Sequence, residues 1–196
     1  MENQKAINMK KIIHLFVLAV LLIMGGQGFA QNKHEYVDLG LPSGTLWATC
    51  NVGANKPEEF GDYFAWGETE PKTIYNWDTY KYFEDDAATA SWGSDWYTPT
   101  VDQWFELFHN TESNEYDLNG VKGWLFVGKN GATLFFPAAG SRWDDKLEDA
   151  DSGNYLSSDI FGDDPTGAWS TSLESSWIGY GELSRGQSVR PVRSKK

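Results

Sequence analysis

A single cysteine, Cys50, in a chain that opens like an exported protein is the tightest constraint on how this sequence folds. Lys5, Lys10 and Lys11 make a positive start, and Ile12 to Met24 is an apolar run broken only by His14. Gly28 and Ala30 then supply the small residues of a signal-peptidase site. Residues 1–30 read as a cleavable signal peptide, with an uncleaved N-terminal anchor as the alternative. The run is shorter than the roughly 20 apolar residues of a spanning helix, and no second run of that length follows. After cleavage, residues 31–196 are one domain's worth of chain, with no transmembrane segment, exported to the periplasm, the cell surface or the medium. One thiol makes no internal disulfide, so packing alone must hold the fold. Cys50 closes the apolar stretch Leu46–Cys50 and reads as a buried, inert thiol.

Aromatic residues supply the packing: 10 Trp, 11 Phe and 9 Tyr, with 20 glycines spread along the length. Long helical periodicity is absent, which predicts an α+β domain of small antiparallel sheets, one clear helix and long structured loops. The helix begins after Thr98-Pro99-Thr100. Thr100 and Gln103 make a capping box, and Trp104, Leu107 and Phe108 share a face. Trp124–Val127 and Ala132–Phe136 form a hairpin around Gly128-Lys129-Asn130-Gly131, ended by Pro137. Residues 61–67 read as a strand between glycines, 187–193 as a terminal strand, and 84–95 and 141–166 as loops. His34 falls in a mobile N-terminus and Lys195-Lys196 in a frayed tail. Trp47, Trp66, Trp104 and Trp124 are core candidates.

The formal charge of −12 grows more negative once a leader with three lysines and one glutamate is gone. Such a surface disfavours nucleic acid and anionic membrane as partners. His109 fits a helix C-terminus better than a catalytic role. No nucleophile elbow, zinc motif or phosphate loop is present, so no catalytic residue, metal or cofactor is expected. A glycosidase-like carboxylate pair stays open, because sequence does not report its separation. The acidic run Asp144, Asp145, Glu148, Asp149 and Asp151 reads as exposed. It fails as a calcium loop starting at Asp149, with Asn154 at the sixth position and Ile160 at the twelfth. Trp143, Trp169 and Trp177 stand among polar residues, where a tryptophan is either core or a contact anchor.

Six segments together carry a resemblance. They are Val37–Ala54 (VDLGLPSGTLWATCNVGA), Gly61–Thr69 (GDYFAWGET), Trp96–Thr100 running on to Trp104 and Leu107, Phe136–Arg142 (FPAAGSR), Gly153–Ser158 (GNYLSS) and Gly186–Val192 (GQSVRPV). In this order, over nearly all of residues 31–196, they resemble the Fibrobacter succinogenes major paralogous domain group of secreted bacterial proteins. The resemblance implies a C-type-lectin-like fold, similar to formylglycine-generating-enzyme-like domains and to the variable proteins of diversity-generating retroelements. It also implies that residues 143–185 carry the ligand-facing positions. Leu156 departs from the tryptophan usual at that place. The copper-binding cysteine pair of the oxygen-dependent formylglycine enzymes and the calcium-and-sugar motifs of animal lectins are absent, so neither chemistry is implied.

The expectation is an exported, non-catalytic binding domain facing a protein or carbohydrate ligand, with Trp143, Asp144, Asp145, Trp177, Tyr180 and Glu182 as its contact residues. The rivals are a glycan-active or degenerate formylglycine-enzyme-like enzyme, and a structural subunit of a surface assembly.

Overall fold

Thr100 starts the fold's main helix as its sequence predicts. In the computed structural model, which describes residues 34–162, 164 and 166–195, the Thr100 side chain accepts from the Gln103 amide while the Gln103 side chain accepts from Thr100 N–H. The signal peptide expected over residues 1–30 lies outside the described residues. In chain order the elements are β1 (Tyr36–Asp38), β2 (Leu46–Ala48), β3 (Tyr63–Phe64), α1 (Ala87–Trp92), α2 (Val101–Asn110), β4 (Thr111–Leu118), β5 (Val121–Gly128) and β6 (Thr133–Pro137). They continue as β7 (Ser141–Trp143), β8 (Lys146–Glu148), β9 (Asn154–Ile160), β10 (Gly167–Ser172), β11 (Trp177–Glu182), β12 (Gly186–Ser188) and β13 (Val192–Arg193). The described chain is richer in strand than in helix, compatible with the α+β class.

Three sheets share these strands. β1–β2–β13 ties the two ends of the described chain together, with Val192 opposite Trp47. β4–β5–β6 is a meander whose β5–β6 hairpin turns at Gly131, a residue at φ 83°. The seven-stranded sheet runs β11–β10–β9–β12–β7–β8, with β3 also paired to β12.

Trp104 joins these layers. Its ring lies 4.7 Å from Trp47, 5.7 Å from Phe136 and 5.9 Å from Tyr155, and its indole N–H donates to Leu156 O at 3.3 Å. Aromatic clusters of this kind bury large areas and gain further from tilted ring contacts. Trp47, Trp66, Trp104 and Trp124 are all buried, as expected. A cation lies in the same core. Arg190 is fully buried over the Phe136 ring, with no carboxylate against it. Asn51 Oδ1 (2.7 Å) and the carbonyls of Ala48, Thr49 and Phe135 (3.0–3.2 Å) accept its protons. Arginine suits this place because its planar fork reaches several fixed acceptors at once.

Several expectations need correction. Residues 84–95 contain α1, capped by Asp86 and set into the core through Ala87 and Ala88. Residues 141–166 hold β7, β8 and β9, so half of the region is strand. The 61–67 strand shrinks to Tyr63–Phe64. The terminal strand splits into β12 and β13, because Pro191 between them has no N–H for a ladder. His34 is stacked on Trp92 at 3.6 Å with the rings nearly parallel, and Lys195 Nζ pairs with Asp38 at 2.8 Å. Both ends of the described chain are therefore held. Cys50 is half-buried, and burial raises its thiol pKa, which keeps it protonated.

Candidate functional site

The region expected to face a ligand is built on β9–β10–β11 and on the β7–β8 hairpin. β10 and β11 pair without interruption from Gly167–Glu182 to Ser172–Trp177. Side chains alternate faces along a strand, so Trp177 and Tyr180, three residues apart, project to opposite faces of β11. Tyr180 and Glu182 share one face. Tyr180 stands opposite Trp169, its ring 5.6 Å from Phe161, which in turn packs 4.4 Å from Trp169. Trp169 is half-buried and leans on the main core, whereas Tyr180 remains 41% exposed. On the other face Trp177 is 54% exposed, the most open large apolar side chain among the described residues, and its ring lies across Gly179. Gly179 leaves that space: a Cβ there would run into the indole.

The β7–β8 hairpin holds the other three expected residues. Asp144 turns the hairpin at φ 50°, and its backbone pairs with Tyr75 through hydrogen bonds of 2.9 and 2.8 Å. Its carboxylate accepts from Asn76 Nδ2 at 2.6 Å. Asp144 therefore anchors the segment around Tyr75. Trp143 is half-buried beneath the Arg185 guanidinium, 5.3 Å from the ring, and Arg185 itself pairs with Glu148 at 2.9 Å. Asp145 is exposed. Along the strand path β12, β9 and β10 separate this hairpin from β11. The six expected residues thus form two separate groups, Trp143-Asp144-Asp145 and Trp177-Tyr180-Glu182.

A concave feature lies apart from the six expected residues, partly on the 60–95 segment. A cavity of about 470 Å³ opens between the chain after β3, the lead into α1, and β9. Trp66, Leu156, Ile160 and Val189 give it apolar walls, and Glu84, Asp85, Asp86 and Asp159 give it carboxylates. Two of these are fixed by backbone donors. Asp86 accepts from Thr89 N (2.7 Å) and Thr98 N (2.9 Å), and Asp159 accepts from Val101 N at 2.6 Å. Glu68, also in the lining, is buried and paired with Lys72 at 2.7 Å. Tyr82 continues the aromatic wall, 5.9 Å from Trp66, and Tyr82 and Phe83 are both about half exposed. The acidic run 84–86 and the aromatics before it were the available signal. It was hidden because the residues that complete the cavity come from β9, seventy positions further along.

Among the described residues no group of three or more His, Cys, Asp or Glu side chains is arranged to hold a metal ion, and no helix is long and apolar enough to cross a membrane. No family model, curated protein or solved structure matches the chain.

Proposed function

We propose that this is an exported, non-catalytic binding domain of C-type-lectin-like type, similar to the Fibrobacter major paralogous domains, and that it engages a protein or glycan outside the cytoplasm. Trp177, Tyr180 and Glu182 on β11 form its principal contact edge. Trp143, Asp144 and Asp145 on the β7–β8 hairpin form a second, so that the partner is extended and not a single small molecule. The observation that carries this reading is the exposure of Trp177 and Tyr180 on the last strand of the sheet, where Ile178 between them is buried. Tryptophan and tyrosine are over-represented among interface residues that dominate affinity, because a rigid ring buries much area at little entropy cost.

The test has two parts. Intact-mass analysis of protein from the native envelope is expected to find a chain beginning at Gln31, and one beginning at Met1 or Met9 would contradict export with cleavage. Glycan-array and envelope pull-down experiments are then run with the wild type and with Trp177→Ala and Tyr180→Ala. Partners that matter are those lost, by about 30-fold or more in affinity, in these variants. Retention of every partner by both variants would remove β11 as the contact edge.

A further inference from the structure

We propose that the cavity beside Trp66 is a second binding site, distinct from β11, and that it takes the cationic head of a lysine or arginine side chain from a basic partner protein. The lining decides the ligand class. Apart from the Trp66 indole, its polar side chains are carboxylates and the hydroxyls of Thr98, Ser157 and Ser158; no lysine, arginine, histidine, asparagine or glutamine lines it. A sugar offers donors and acceptors together and needs both in return. Ionised carboxylates only accept, and hydroxyls can turn to accept as well, so this lining suits a ligand that only donates, as ammonium and guanidinium groups do.

Charge points the same way. Glu68 is neutralised by Lys72, but among the described residues no ion pair satisfies Glu84, Asp85, Asp86 or Asp159. Asp86 and Asp159 are held in place by backbone N–H groups, so an incoming cation meets charges already oriented. The apolar part of the cavity fits the rest of such a side chain. Trp66, Leu156, Ile160 and Val189 offer a surface for a methylene stem, and the Trp66 ring among them is an aromatic group of the kind that attracts cations. A bare metal ion is a poorer match, because the carboxylates are not gathered into a coordinating group.

The experiment measures binding of a blocked tetralysine peptide to the protein, by calorimetry at low and at physiological salt. Glu84 and Asp85 are exposed and cap no helix, so Glu84→Gln with Asp85→Asn leaves the fold intact. The charge-matched control is Glu112→Gln with Glu115→Gln, both exposed on β4. The cavity variant is expected to lose about tenfold in affinity and the control less than about twofold, since contact pairs outweigh diffuse attraction screened beyond roughly 8 Å. Trp177→Ala is expected to bind the peptide as the wild type does, so failure at β11 and failure here are read separately. Equal loss in both charge variants would overturn the proposal by showing diffuse attraction only. Absence of tetralysine binding would overturn it too, as would binding of a neutral oligosaccharide that is lost in the cavity variant alone.

Discussion

Trp104 and Trp177 are the same side chain in opposite circumstances. Trp104 has no exposed surface, touches four other aromatic rings and donates its indole N–H to a strand carbonyl. Trp177 is more than half exposed and rests on one glycine. The first is required by a fold without disulfides, which has only packing to hold it. The second contributes little to that packing, and a fold gains nothing by keeping so large an apolar ring in water. The comparison separates tryptophans that build the domain from those free to meet something else. Composition alone cannot make that division, because both kinds sit in the same aromatic-rich chain.

The largest expected effect falls on the buried side. Trp104→Ala removes the ring at the junction of helix and sheets and should cost roughly 3–5 kcal/mol in chemical denaturation. Next comes an effect of pH on the phenols of the same region. Tyr155 and Tyr63 are both pushed up to about 12, chiefly by burial, and both donate to backbone carbonyls, Tyr155 to Pro137 and Tyr63 to Ala139. Their unfolded pKa is about 10. The folded state favours the protonated phenol, so its contribution is fully present below about pH 10 and is lost as pH rises toward 12. Tyrosinate absorbance from these two side chains should therefore rise near pH 12, or with unfolding if that comes first; titration of every tyrosine near pH 10 in a still-folded protein would contradict their burial. Smaller again is Thr100→Ala, expected to lower stability by roughly 0.5–2 kcal/mol through loss of the cap on α2. An unchanged denaturation midpoint would mean that the capping box carries no weight.

What was legible in the sequence follows the same division. Capping box, β5–β6 hairpin and the four core tryptophans could be read, because each is written locally: a cap three residues from its partner, glycine at a turn, apolar residues in short runs. β4 was not readable. Its residues TESNEYDL are mostly polar, and it becomes a strand by pairing along its whole length with β5 while Glu112, Asn114, Glu115 and Asp117 face solvent. β9 and β10 were hidden for a different reason. They carry polar side chains inward: Ser157 and Ser170 are buried, with Ser170 donating to Gln187 of β12 at 2.9 Å. A buried polar residue is tolerable only once its partner is in place, and partners seventeen positions apart leave no local pattern. Arg190 has the same history, since three of its four acceptors lie on segments more than a hundred residues earlier. The separation of the expected contact residues into two groups depends on strand order, which short-range patterns do not carry.

The smallest expected change in stability tests the comparison most directly. Trp177→Ala and Trp104→Ala should be unfolded by denaturant side by side. Trp177→Ala is expected to stay within about 1 kcal/mol of the wild type, as substitutions at exposed positions usually do, against a loss of roughly 3–5 kcal/mol for Trp104→Ala. A loss for Trp177→Ala as large as that for Trp104→Ala would make Trp177 part of the fold's support and would contradict its place on the contact edge.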